Sequence, residues 1–287
     1  MTPFKIVTDS TADLPVEWLE QYDLTVMGLT VELDGVVYET VGENRLTSDV
    51  LLEKMLAGGQ PTTSQVNVGQ FEALFREAAK ASQAVLYLAF SAALSGTYQS
   101  AVMAREMVME DYPEAVIEII DTKAATLGEA YLVLKAAQAR EAGASLAETL
   151  AIIEDVIPRV RTYLLVDDLQ HLVRGGRLSK AAALIGGLVN IKPLISIDRD
   201  GKLVSIAKLR GKKKGIKEML ALTLGQLDES CVMVAYTGDV EAAEQLRATL
   251  LADPQVEQVI MAPLGPIIAS HTGTGSLAIL SIGRDQR

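Results

Sequence analysis

Short apolar runs, each followed by a polar loop and an amphipathic stretch, recur along the first half of the chain. Residues 4–8 of "FKIVTDSTADLP" are the first such run and predict a buried strand. The polar loop after it leads to a helix with Pro15 in its first turn, where the ring's fixed φ and missing N–H do no harm. "TVMGLTVELDGVVYE" holds two more apolar runs, and Asp34-Gly35 between them predicts a two-residue hairpin turn. "LTSDVLLEKML" predicts a helix capped by Thr47 or Ser48. Phe71, Leu74, Phe75, Ala78 and Ala79 then recur at helical spacing, which predicts one buried face and places that helix's start near Thr63, Ser64 and Gln65.

The same pattern continues with a strand over 84–89, a small-residue loop and a helix from Gly96 or Thr97. "AVIEIIDT" ends a further strand at Asp121-Thr122, and "SLAE" at 145–148 reads as a capping box opening a helix to about Val156. Alternation of this kind predicts a parallel sheet covered by helices. A boundary falls near Arg159–Arg161, after Pro158, so the chain divides into residues 1–160 and 161–287. The second part opens with a strand, a short helix and two glycine pairs, predicts a hairpin at Asp200-Gly201, and then alternates helix and strand. Its stretch 181–195, "AAALIGGLVNIKPLI", is small and aliphatic enough for either core or the wall of a narrow apolar cavity.

Composition narrows the function classes. Hydrophobic residues make up 49% of 287, with no long uncharged apolar run and no basic-then-apolar leader, so a soluble cytoplasmic protein is expected. The single cysteine, Cys231, excludes an internal disulfide, and with only two histidines argues against a metal site. A net charge of −11 and 5% aromatic content oppose nucleic-acid binding and allow at most transient membrane contact. Against that background the basic residues Arg174, Arg177, Lys208, Arg210, Lys212, Lys213, Lys214 and Lys217 stand out as a docking face for phosphate or an acidic partner, or as a solvated helix start.

Candidate chemistry gathers in loops that leave strand ends: Asp9-Ser10-Thr11, Ser91 to Thr97 and Asp121-Thr122, with Thr63-Ser64 at a further helix start. In open α/β sheets ligands bind beside such loops, and helix N-termini favour an anion. The same residue types are also ordinary caps and turn formers. His271, in "SHTGTG", is open to three roles: base, hydrogen-bond donor to an anion, or buried structural residue. His171 reads as a helix-surface residue. The chain has no phosphate-binding glycine motif, zinc-helix motif or G-x-S-x-G elbow. A hydrolase triad of Ser95, His271 and Asp9 or Asp121 stays open, because such triads are defined by geometry.

Nearly end to end, the sequence resembles the DegV family of bacterial fatty-acid-binding proteins, which includes the binding subunit of fatty-acid kinase. The stretches that carry the resemblance are "VTDSTADLP" (7–15), "PTTSQ" (61–65), "LSGTYQSA" (94–101), "IIDTKAATLG" (119–128), "VRGGRLSKAAALIGGLVNIKPLI" (173–195), "KLRGKKKGI" (208–216) and "SHTGTG" (270–275). It implies a two-domain α/β fold: an N-terminal parallel-sheet domain, a C-terminal domain with a mixed or antiparallel sheet, and a ligand tunnel between them. It also implies one bound long-chain fatty acid, no cofactor and no metal, and no chemistry of the protein's own. Thr63 and Ser95 would hold the carboxylate, with Ser64, Gly96 and His271 beside it. The glycines after His271 would let backbone come close. Arg174 and Arg210 would face a fatty-acid kinase that makes the acyl-phosphate used in phospholipid metabolism. The chain departs from the family pattern at Val66-Asn67, where proline is common, and at Thr274, which predicts a change in loop stiffness near the head group. The rival from another class is a serine esterase or thioesterase using Ser95 and His271.

Overall fold

The computed structural model describes residues 4–179 and 190–287. In chain order the elements are β1 (Lys5–Asp9), α1 (Val16–Gln21), β2 (Leu24–Met27), β3 (Thr30–Leu33), β4 (Val36–Glu39), α2 (Ser48–Leu56), β5 (Thr62–Ser64), α3 (Val68–Lys80), β6 (Val85–Ala89), α4 (Thr97–Asp111), β7 (Ile117–Asp121), α5 (Leu127–Glu141) and α6 (Leu146–Val156). They continue with β8 (Val160–Leu165), α7 (Gln170–Arg174), β9 (Ile191–Ile197), β10 (Leu203–Arg210), α8 (Lys212–Leu224), β11 (Cys231–Tyr236), α9 (Val240–Leu251), β12 (Gln258–Pro263), α10 (Pro266–Thr272) and β13 (Leu277–Ile282). Among the described residues the strands form three sheets: a parallel sheet ordered β2-β1-β6-β7, a small antiparallel one ordered β4-β3-β5, and a mixed six-stranded one ordered β10-β9-β8-β13-β11-β12. The first two lie wholly before Pro158, and the third begins at Val160.

The fold follows from where apolar surface is available. Strands β6, β8 and β13 are buried at every residue, as expected of strands covered on both faces. Edge strand β10 instead exposes Ile206, Lys208 and Arg210 at alternate positions. Helix α5 is buried around nearly its whole circumference, because it lies between the parallel sheet and the mixed sheet and touches β1, β6, β8, β11 and β13. Leu127, Leu132 and Val133 therefore join Ile6, Leu86 and Leu88 on one side to Leu164, Ala278 and Leu280 on the other in one continuous core. On the far face of the parallel sheet Phe71 and Phe75 of α3 pack with Tyr87, the Phe71 and Tyr87 rings 4.9 Å apart. On the far face of the mixed sheet α8 and α9 cover Tyr163, Leu165, Val232 and Val234.

Local signals behave as expected at both hairpins and at the Ser145–Glu148 capping box. One expectation is corrected. Thr63 and Ser64 do not start a helix: they form β5, paired to β3 through Val31 and Thr63, and α3 begins later under a capping box made by Asn67 and Gln70. The Val66-Asn67 departure is thus a fully buried valine followed by a helix cap.

The polar residues after β1 are engaged inside the fold. Asp9 accepts from Tyr87 Oη at 2.7 Å, from the Phe90 N–H at 3.1 Å and from Thr11, and burial raises its pKa. Thr11 has one proton but sits 2.5 Å from Asp9 Oδ1 and 3.0 Å from Glu129 Oε2, so it can donate to only one of them. Glu129, wholly buried beside Asp9, has its pKa pushed well up, first by burial and then by the Asp9 charge.

Asp13 ties the two parts of the chain together. Its backbone is left-handed, its Oδ2 accepts from Thr126 Oγ1 at 2.6 Å at the start of α5, and Gly265 at the start of α10 lies against its Oδ1. Gly265 is required there, since a Cβ would lie 2.2 Å from Asp13 Oδ1. Burial pushes the Asp13 carboxyl up to about 7 from 3.8. Within that interval the native state holds a proton that the unfolded chain has released, so this group withdraws stability as pH rises, at about 1.4 kcal/mol per pH unit. Denaturant unfolding of wild type and Asp13→Asn across that range is expected to show wild type losing stability relative to the variant as pH increases. A difference that does not change with pH would refute it.

Candidate functional site

Among the loops at the carboxyl ends of β1, β6 and β7, those after β6 and β7 reach a cavity of about 330 Å³ between the parallel and mixed sheets. Its walls are aliphatic and aromatic: Leu29, Phe90 and Leu94 on one side, and Leu164, Ile195 and Ile197 from the mixed sheet on the other. Its polar lining includes Thr63, Ser64, Gln65, Ser95, Gly96, Arg177 and His271, drawn from β5, the start of α4, the segment after α7, and α10.

His271 stands in the last turn of α10, and its Nε2 lies 2.8 Å from Thr63 Oγ1. Gly175 faces the other side of the ring, where a Cβ would come within 2.2 Å of Nδ1, so only glycine fits there. Burial lowers the His271 pKa to about 4, helped by the cationic Arg177 and Arg174 and by His171. At neutral pH the ring is therefore uncharged and offers one N–H and one acceptor. Ser95 Oγ lies 2.9 Å from Thr97 Oγ1 and accepts from the Thr97 N–H at 3.2 Å, in the manner of a helix cap. Gly96 leaves room for the Gln65 amide, whose Nε2 donates to Ser100 Oγ at 2.8 Å.

The five expected head-group residues, Thr63, Ser64, Ser95, Gly96 and His271, thus line one cavity. Arg174 and Arg210 do not. Both are exposed, Arg174 placing Nη2 2.7 Å from His171 Nδ1 and Arg210 ending β10. The cavity arginine is Arg177, which donates to the Leu94 carbonyl at 3.0 Å and to the Gly175 carbonyl at 2.6 Å, and whose pKa burial lowers. Its place in the RGGR run made it visible as a basic residue, but nothing in the spacing distinguished it from Arg174.

Other expectations shift. Asp9 and Thr11 belong to the buried network rather than the cavity, Ser10 Oγ accepts from the Leu29 N–H at 3.0 Å, and Asp121 accepts from the Ala92 and Lys123 N–H groups. The glycines after His271 serve turns: Gly273 and Gly275 have φ of 71° and 74° and pack against His171 and Asp167. Lys212 is paired with Asp239 at 2.6 Å. Of the aliphatic stretch 181–195, Ile195 lines the cavity, while 181–189 lie outside the described residues. Ser95 and His271 bond to Thr97 and Thr63 rather than to each other, and His271 has no carboxylate partner among the described residues. Also among the described residues, no three acidic, histidine or cysteine side chains gather to hold a metal ion, and no helix is long and apolar enough to cross a membrane.

Comparison with known proteins adds an independent line. The DegV family model matches residues 3–284. A DegV domain-containing protein of Streptococcus pyogenes serotype M1 is 58% identical over 284 residues, covering 99% of each chain. One from Lactococcus lactis is 44% identical over 286 residues, again covering 99% of each. Among solved structures, a DegV family protein from Thermus thermophilus described for its fatty acid binding superposes with a TM-score of 0.87 at 34% identity, over 98% of this chain and 99% of its own. DegV of Bacillus subtilis, a fatty acid binding protein, gives 0.86 at 31% identity over 99% and 100%. A stearic acid-binding protein from Eubacterium ventriosum gives 0.85 at 27% identity over 97% and 98%.

The neutral imidazole has a direct consequence. An NMR titration of the His271 ring in the ligand-free protein is expected to show a midpoint of about 4. Because an unfolded histidine takes its proton near pH 6.5, this group's contribution to stability is lost as pH falls through the interval between those values. A midpoint near 6.5 would show a ring open to water and overturn the buried assignment.

Proposed function

Because the chain belongs to the DegV family, we propose that it binds one long-chain fatty acid, with the acyl chain in the cavity and the carboxylate at Thr63, Ser64, Ser95, Gly96 and His271. The observation that carries this reading is the pairing of an apolar cavity with a polar cluster centred on the Thr63–His271 contact. A carboxylate beside apolar walls needs hydrogen bonds to offset its lost hydration, and hydroxyls, the N–H groups at the start of α4 and a neutral imidazole N–H are suitable donors. The chain contributes most of the affinity, at about 0.8 kcal/mol per buried methylene. Fatty acid binding described for the Thermus thermophilus and Bacillus subtilis relatives agrees with this reading.

In this reading the protein is a cytoplasmic carrier without catalysis or cofactor of its own. It presents the head group to a fatty-acid kinase, which phosphorylates the carboxylate to an acyl-phosphate. Arg174 and Arg210, exposed outside the cavity, are the residues we assign to that partner. The esterase reading is disfavoured by geometry, since the hydroxyl of Ser95 and the ring of His271 are bonded elsewhere.

Calorimetry of the delipidated protein is expected to give one site for octadecanoic acid and at least about tenfold weaker binding of octadecanol, the worth of a hydrogen-bonded charge. Equal affinity for acid and alcohol would refute the carboxylate site. Ser95→Ala is expected to weaken acid binding only in part; ester turnover by wild type that vanishes in this variant would establish the hydrolase instead. Charge reversal of Arg174 and Arg210 together should leave acid binding unchanged and slow phosphorylation by the kinase. Unaltered phosphorylation would remove the partner assignment.

A further inference from the structure

The second histidine of the chain has no part in the head-group cluster, yet it stands beside it. His171 lies in α7, which packs against α10, the helix that carries His271. Gly175 and Gly273 sit at the contact between the two helices. A Cβ on Gly175 would lie 2.2 Å from His271 Nδ1, and one on Gly273 would lie 2.7 Å from His171 Cδ2 and 2.9 Å from its Nε2. The Cδ2–Nε2 edge of the His171 ring is therefore held against the end of α10, and the opposite edge, which carries Nδ1, is turned away from it.

That opposite edge meets Arg174, whose Nη2 lies 2.7 Å from His171 Nδ1, one turn further along α7. A guanidinium has donors and no acceptor, so Nδ1 is the acceptor and the ring proton sits on Nε2. Arg174 is otherwise exposed, and among the described residues no carboxylate pairs with it. The bond to His171 thus restrains a long side chain that would otherwise sample many rotamers. Because Gly175 follows Arg174 and touches the His271 ring, the guanidinium is held at the rim of the head-group cluster, near enough for its charge to lower the His271 pKa.

We infer that His171 is the positioning residue for Arg174: its unprotonated Nδ1 holds the guanidinium at the head-group rim in the orientation that receives the kinase, and protonation of the ring releases it. The inference rests on the assignment of Arg174 to that partner and deepens it. The imidazolium has a donor where the neutral ring has an acceptor, and it adds a like charge beside the guanidinium. The charged and titratable groups that face the ring are Arg174 and Asp168 from its own segment and His271 from α10. Burial and the Arg174 charge lower the His171 pKa against the opposing charge of Asp168, so release falls below the ordinary value of 6.5.

The test uses the full chain loaded with octadecanoic acid, as wild type, His171→Asn, His171→Leu and Arg174→Glu, and measures binding to the purified fatty-acid kinase of the source organism by surface plasmon resonance. Asn places an oxygen near the position of Nδ1 and does not titrate, whereas Leu offers no acceptor. At about pH 7.5 His171→Asn is expected to bind the kinase like wild type, and His171→Leu roughly three- to tenfold more weakly, the worth of one hydrogen bond. At about pH 5, below the histidine range, wild type should fall toward His171→Leu while His171→Asn keeps its advantage; ratios taken at each pH cancel titration of the kinase itself. NMR of the wild-type His171 ring should show a protonated Nε2 and a bare Nδ1 at neutral pH, with a midpoint that rises in Arg174→Glu. Octadecanoic acid binding should be the same in wild type, His171→Asn and His171→Leu. A ring protonated on Nδ1 at neutral pH, or a ratio of wild type to His171→Asn that does not change with pH, overturns this inference and leaves the fatty-acid and partner readings standing. Kinase binding indifferent to Arg174→Glu overturns the partner assignment and this inference with it. Loss of octadecanoic acid binding in both His171 variants would make His171 part of the ligand site and also overturns it.

Discussion

Helix α5 has almost no exposed face in its first two turns, and the rest of the architecture is arranged around hiding it. Apolar side chains on both of its sides have to be kept from water, so both the parallel sheet and the mixed sheet cover it. Where the helix begins, at Thr126 and Leu127, the two sheets are still held apart but no side chain fills the space, and the cavity lies there. Gly128 lets the first turn approach β8 closely. The site is thus a by-product of how two sheets share one buried helix.

That helix also carries the main electrostatic liability of the fold. Glu129 is wholly buried in its first turn, within reach of Thr8, Thr11 and the charge on Asp9. Two carboxyls in one dry network cannot both ionise at moderate cost, so a retained proton makes the arrangement tolerable. Asp13 repeats the theme at the seam with α10, while His271 at the other end of α10 is held neutral in the opposite sense. Over much of the same pH interval, rising pH weakens the fold through Asp13 and strengthens it through His271, so their effects on total stability oppose each other.

Hydroxyl groups divide by whether the protein satisfies them. Those of Thr8, Thr11, Thr122 and Thr126 are engaged by carbonyls or carboxyls inside the fold, and that of Thr63 by the ring of His271. Among the described residues that of Thr162 has no such partner.

The sequence alone determined the alternation of strands and helices, both hairpin turns and the Ser145 capping box, because each is a local matter of periodicity or turn chemistry. Together with the family resemblance, it also brought Thr63, Ser64, Ser95, Gly96 and His271 forward as candidates, and all five line the cavity. Only the tertiary structure decided the rest. Thr63 reads locally as part of a helix start, yet pairing with β3 makes it a strand and turns it toward His271. Arg174 and Arg177 differ by three residues and have the same charge, and only the fold of the segment after α7 sends one to solvent and the other to the cavity. Thr162 is one of many strand threonines in the sequence. Among the described residues its hydroxyl is unpaired, because Gly128 and Leu280, from other parts of the chain, pack around it without offering a hydrogen bond. Local physics sets which element a residue joins; what surrounds its side chain depends on segments distant in the chain.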